Sequence, residues 1–195
     1  MSDAKVNLSH DEGGRSGPLT PYEGREPPAP AWFHKAVAQA PRPFKAQCDG
    51  IALNCLEWGD RSKPGIVLIH GNGAHAWWWA FVAPYLAEEY HVAAFDLSGM
   101  GDSGWRPGYA MRSYADEPVA VAEACGMVEV GEPPVVVGHS FGGFVTMTAG
   151  AKHGARLAGA VLVDSPVNPP DRPGGPPNRQ MRPHRVYPTL EAALS

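Results

Sequence analysis

No stretch of this chain approaches the roughly 18 uninterrupted apolar residues that a membrane-crossing helix needs, so a span is not expected. The opening residues, MSDAKVNLSHDEGG, hold no apolar run of the kind a secretory leader carries, and export is not expected either. Charge is sparse, at 18% of residues with a net of −4, and no Lys/Arg stripe runs along any expected element. That removes nucleic acid as a partner class. Cysteine is scarce too. Cys48, Cys55 and Cys125 are odd in number and match no metal-ligand spacing, so they read as buried reduced thiols of a cytoplasmic protein. A Cys48–Cys55 bridge across a hairpin is the lesser reading.

Apolar residues, glycine and proline are plentiful instead. With 195 residues, 44% of them apolar, the chain suffices for one domain with a substantial core. Fifteen of the 21 prolines fall in 1–45 or 166–188, which marks those zones as irregular and leaves the middle for packed elements. The expected organisation is an N-terminal arm over 1–43, its first 30 residues disordered, then a core over 44–170 and a separate segment over 171–195. AWFHKAVAQA at 31–40 has helical apolar spacing. FKAQCDGIALNCLEWG at 44–59 reads as a hairpin turning at Asp49-Gly50. Strands are then expected at 65–70, 91–96, 134–138 and 158–163, with helices at 76–89, 112–125 and 141–153. Such alternation implies a parallel sheet with right-handed crossovers.

The most informative run is VVVGHSFGG, Val135–Gly143: an apolar strand that breaks at Gly138-His139-Ser140-Phe141-Gly142 and opens an apolar helix. A serine hydroxyl is a poor nucleophile unless it is presented to a base with room for substrate above it. A sharp strand-to-helix turn presents it so, provided that small residues flank it, and Gly138 and Gly142 supply that room. Phe141 then begins a helix with its backbone N–H free for a developing oxyanion. G-x-S-x-G alone is a weak pattern in a chain with 23 glycines; the preceding strand and following helix give it weight, with Gly154 as the helix C-cap.

Three further segments stand in register with this one. They are GIVLIHGNG at 65–73, HVAAFDLSGMGDSG at 91–104 with its D-x-x-G-x-G-x-S turn, and LAGAVLVDSP at 157–166. Over about residues 44–170 the chain resembles the α/β-hydrolase superfamily, in its serine-nucleophile, esterase-like branch with a cap. The resemblance implies an α/β fold: the α/β-hydrolase fold, a mostly parallel sheet with helices on both faces, here with the C-terminal strands missing. It makes Ser140 the nucleophile, and the backbone amides of Asn72 and Phe141 the oxyanion hole. An ordinary turn, with Asn72 and Gly73 adopting positive φ, is the alternative for that loop. Asp164 is the best candidate for the acid of the triad, with capping of the next segment as its other reading. Most members take their acid from a later strand.

In this superfamily the histidine follows the acid. The only histidine after Asp164 is His184, which departs from the position expected of the catalytic base: it lies within 171–195, a segment that resembles the start of the cap with an amphipathic VYPTLEAAL helix, so the catalytic histidine is expected to be absent. The chain is therefore expected to stop inside the cap, leaving its sixth strand as an open edge through which copies self-associate. His75 and His139 read as local hydrogen-bonding residues, and Asp96 and Asp102 as turn caps. A helix can point only part of Trp77-Trp78-Trp79 at the core, so at least one is expected to face the active-site side or a cap; packing of all three against the sheet and its neighbours is the alternative. The activity implied is hydrolysis of a small carboxylic ester by a serine enzyme that needs neither metal nor organic cofactor. The alternatives are a non-catalytic binding module using the same cleft, or a C–C hydrolase, acyltransferase or cofactor-free peroxidase on the same fold.

Overall fold

In the computed structural model, residues 20–167 are described, apart from Gly24 and Val130. The expected cap segment 171–195, with His184, and the first 19 residues of the arm lie outside them. A short helix α1 (Ala31–Val37) precedes a hairpin of β1 (Arg42–Cys48) and β2 (Ile51–Trp58). At its turn Asp49 and Gly50 have φ of 51° and 78°. Two successive positive φ values match the twist of the flanking strands, which is why Asp-Gly is favoured there.

Four further strands follow: β3 (Gly65–Ile69), β4 (His91–Phe95), β5 (Val135–His139) and β6 (Gly159–Val163). They complete a six-stranded sheet of order β1-β2-β4-β3-β5-β6. β2 runs antiparallel to β1 and β4, and all other pairings are parallel. The sequence expectation of a mostly parallel α/β sheet holds.

Side chains alternate across the sheet, so each strand feeds two cores. Val67, Ile69, Ala93, Phe95 and Val136 face one side, against Val121, Ala122 and Val145. Ile66, Leu68, Val92 and Ala94 face the other, against Ala76, Trp79 and Ala83. Every residue of β3 and β4 is buried. Each fully buried aliphatic side chain contributes about 1.5–3 kcal/mol. These central strands hold the sheet, and their carboxyl ends form the edge where β3 and β5 break into loops.

Two expected helices are not continuous. Over 76–89 the chain forms a 3₁₀ turn (Ala76–Trp79) and then α2 (Ala83–Leu86); over 112–125 it forms α3 (Met111–Tyr114) and α4 (Glu117–Ala124). The cause is the same in both. Pro84 and Pro118 sit in the first turns of α2 and α4, where no N–H is needed, whereas a longer helix would place them inside and lose an i→i−4 bond. The helix after β5 is α5 (Phe141–His153), as expected. Its end differs: Gly154 stays right-handed at φ −52° and passes into a 3₁₀ turn, Gly154–Arg156, so it is not a left-handed cap. The three cysteines are free and buried, and Cys48 pairs in register with Ile51, not with Cys55. Burial pushes the Cys55 and Cys125 thiols up to about 12.

At the amino ends of the parallel strands, buried Glu57 accepts hydrogen bonds from Arg61 Nε at 2.7 Å and His91 Nε2 at 2.6 Å. Burial alone would raise its pKa, but Arg61 and Arg42 outweigh that and hold it at about 2, from an ordinary 4.5. The stability this carboxylate contributes is therefore complete above pH 4.5 and is lost as pH falls towards 2. In urea titrations from pH 7 downwards, the stability gap between the parent and Glu57→Gln is expected to stay constant to about pH 4.5 and then to close. A gap that does not narrow would exclude an ionised Glu57.

Candidate active site

β5 ends and α5 begins at Ser140, whose backbone is forced to φ 51° and ψ −113°. A non-glycine residue there stores about 1–3 kcal/mol of strain, so the surroundings must over-determine it. They do so on three sides. A Cβ on Gly138 would overlap the Gly142 carbonyl and Thr146 Oγ1, and one on Gly142 would lie 2.5 Å from the Ile69 carbonyl oxygen. The expected need for small residues on both flanks is met. The third restraint was not visible in the sequence: the Ser140 N–H donates to the Val163 carbonyl at 2.9 Å, and Ser165 Oγ donates to the Ser140 carbonyl at 2.9 Å. A side chain on Gly143 would collide with Ser165, so that glycine serves the same clamp. The signal available was only a serine directly after Asp164.

The His70-Gly71 loop lies against this turn. A Cβ on Gly71 would stand 3.3 Å from Ser140 Cβ and 3.0 Å from His139 Nδ1. His70 is wholly buried; its Nε2 accepts the Leu97 N–H at 3.1 Å and its Nδ1 bonds the Gly71 carbonyl at 2.7 Å. That pairing fixes the proton on Nδ1, and burial lowers the pKa, keeping the ring neutral. At the other end of the loop the Ala76 N–H donates to Asp96 Oδ1 at 2.6 Å. Asp96 also accepts from Asp102 N–H at 2.8 Å and Asn54 Nδ2 at 3.1 Å. It is a turn cap, as expected.

Among the described residues, no hydrogen bond occupies the Asn72 N–H. The Phe141 N–H is the first of α5 and has no intrahelical acceptor. Gly73 takes φ 69°, while Asn72 does not turn to positive φ, so only half of the ordinary-turn reading applies. Asp164 follows Val163, the register partner of His139, and so stands level with Ser140 on the neighbouring strand. Its φ is 50° and its side chain is exposed.

The histidines are arranged differently from expectation. His139 Nδ1 is buried without a partner, and its ring stacks on Trp78 with centroids 5.6 Å apart and planes 17° apart. Among the described residues its ring makes a stacking contact and no hydrogen bond, in place of the expected local hydrogen bond. His153 pairs with Asp116 at 2.6 Å, at the far end of α5. None of the described histidines bonds the Ser140 hydroxyl. Trp79 is buried in the core, while Trp77 and Trp78 flank the loop side. A cavity of about 570 Å³ opens there. A second, of about 230 Å³, lies by Arg42, Glu57 and Glu88, near the strands' amino ends and away from Ser140.

Comparison with known proteins agrees with this fold. The chain is 33% identical over 129 residues to the dihydrolipoyllysine-residue acetyltransferase component of an acetoin cleaving system from Pseudomonas putida, covering 66% of this chain and 34% of that protein. It is 33% identical over 117 residues to lipase LipV of Mycobacterium tuberculosis, covering 60% of this chain and 43% of the lipase. Its fold superposes on a crystal structure of a membrane phospholipase A, a bacterial virulence factor, with a TM-score of 0.62 and 29% identity over 73% of this chain and 44% of that one. The chain thus spans less than half the length of each of these relatives. Among the described residues no helix is long and apolar enough to cross a membrane. The family description that matches residues 66–194 is that of the alpha/beta hydrolases, and with its sheet order, its strand-turn-helix at Ser140 and its His70-Gly71 loop, the chain belongs to the alpha/beta hydrolase family.

Proposed function

We propose that this hydrolase is a serine enzyme acting on a small carboxylic ester, with Ser140 as nucleophile. The observation that carries the reading is the strained backbone of Ser140, held between β5 and α5 with Gly71 against its Cβ. Strain of this kind persists where the surroundings enforce it, and it clusters at reacting groups. In the proposed reaction Ser140 Oγ attacks the ester carbonyl, and the developing oxyanion is bound by the Asn72 and Phe141 amides. Each such donor is worth about 2.7–4 kcal/mol of barrier. The positive end of α5 points at the same oxygen. An imidazole from outside the described residues takes the serine proton and returns it to the leaving alcohol; water then releases the acid. Asp164 orients that imidazole from the end of β6. The names of two relatives, a lipase and a phospholipase A, support an ester as the substrate.

The experiment is covalent labelling with a fluorophosphonate, the adduct mapped by peptide mass, alongside release of p-nitrophenol from short-chain p-nitrophenyl esters. In the whole protein, with that imidazole present, an adduct on Ser140 and ester turnover are expected. An adduct elsewhere, or none, would favour a binding module that keeps the cleft without the chemistry. Asp164→Asn is expected to cut turnover by orders of magnitude while the labelled site stays the same. An unchanged rate would move the acid to another part of the protein.

A further inference from the structure

We infer that the cavity beside the Asn72 loop is the subsite for the substrate's apolar portion, and that its shape and lining select an aromatic ring. The inference rests on the ester-hydrolase reading and names the class of substrate. The cavity measures about 570 Å³, within the range of small-ligand sites, and its wall includes Phe33, Gly73, His75, Trp77, Trp78 and Phe81. Gly73 lies two residues from Gly71, at most about 7 Å along the chain. Gly71 packs against the Ser140 Cβ, so the cavity wall at Gly73 and the serine turn are joined by one short stretch of the same loop.

The wall is also tied to the serine turn directly, because the Trp78 ring that borders the cavity stacks on His139, the residue before Ser140. A carbonyl held by the Asn72 and Phe141 amides can point its substituent over Gly73 into this space. Among the described residues no lysine, arginine, aspartate or glutamate lines it, so these residues offer a charged substituent no partner. The aromatic side chains offer edges and faces at different tilts: Phe81 stacks on Phe33 at 25° and meets Trp78 edge-on at 84°. A flat ring can complete both kinds of contact, which a flexible alkyl chain cannot.

Two further facts fit an occupied site. Trp77 and Trp78 remain 52% and 48% exposed, an apolar area that a small solvated turn has no reason to display. In addition, α1 is fastened in place to close the wall: Tyr85 Oη donates to the Trp32 carbonyl at 2.6 Å, and Lys35 Nζ lies over the Tyr85 ring at 5.9 Å. Phe33, carried by α1, thereby faces the loop that holds the proposed oxyanion donor.

The test uses the full chain and 2-naphthyl methyl ketone, which carries the ring and a carbonyl but no leaving group. Quenching of tryptophan fluorescence is expected to saturate, and 2-hexanone at equal concentration is expected to compete poorly. Trp77→Ala and Phe33→Ala are each expected to raise the Kd about fivefold or more, the loss of one aromatic contact. Both side chains are at least partly exposed, so neither change empties the core, and circular dichroism melts verify this. Quenching that does not saturate, as a cavity filled by the chain's own residues would give, or a Kd that neither substitution changes, overturns the inference. Fluorophosphonate labelling of Ser140 reports separately on the nucleophile. Labelling without ketone binding leaves the ester-hydrolase reading standing and removes the ring-selective subsite, while saturable, cavity-dependent binding without labelling does the reverse.

Discussion

Ser140→Ala is expected to abolish fluorophosphonate labelling and to lower ester turnover by about a thousandfold or more, as removal of a nucleophile does elsewhere. Melting of the folded chain should not fall. The Ser140 hydroxyl makes no hydrogen bond among the described residues; the bonds that fix this position run through its backbone, to Val163 and from Ser165. Alanine keeps the Cβ and all of those bonds. Ser140→Gly should be as inactive but should relieve the strain at φ 51°, and so melt above the alanine variant. The pair separates chemistry from conformation. Residual activity above a few per cent in Ser140→Ala, about what contamination explains, would remove this residue as nucleophile.

Gly142→Ala is expected to destabilise the protein by about 3 kcal/mol or more, a fall of roughly 10 °C in Tm for a domain this size. Its new methyl would sit 2.5 and 2.6 Å from the carbonyl oxygens of Ile69 and His70. Those atoms belong to the end of β3, a strand buried along its whole length between β4 and β5, and have no room to retreat. Helix α5 would have to lift from the sheet. At Gly150, eight residues further along the same helix, an added Cβ would meet nothing within 4 Å. There Gly→Ala should raise stability by about 0.5–1 kcal/mol, the ordinary helix preference. Two glycines on one helix thus give opposite signs. Equal effects at both would mean that contact with β3 does not govern the first.

Much of this was legible in short runs of sequence because the physics there is local. Asp49-Gly50 demanded two positive φ values and obtained them; Gly138 and Gly142 announced a close approach two residues either side of a serine. Short apolar runs located the six strands of the described residues to within a residue or two. The proline breaks were equally local but were overridden by periodicity: apolar spacing over 76–89 and 112–125 suggested single helices, although Pro84 and Pro118 each forbid one. What stayed hidden depends on residues distant in the chain. Ser165 reaches Ser140 across 25 positions, and Trp78 meets His139 across 61, so neither the clamp nor the stack has a local signature. The tautomer of His70 likewise follows from Leu97, just beyond the end of β4.

The Asn72 loop is fastened at both ends to the segment that follows β4, through His70 to Leu97 and through Ala76 to Asp96. Loops ordinarily exchange their amide hydrogens with solvent through small local openings. The amides of Leu97 and Ala76 are buried donors to His70 and Asp96, just past the ends of β3 and β4, where an opening has to disturb the ends of both strands. They should therefore exchange only on the timescale of global unfolding, alongside Val67 and Ala93. The Asn72 amide, with no acceptor, should exchange at once. Fast amides at Asn72 and Gly73, which have no acceptor among the described residues, beside the slow ones at Ala76 and Leu97 would mark in solution the donors that this fold leaves open.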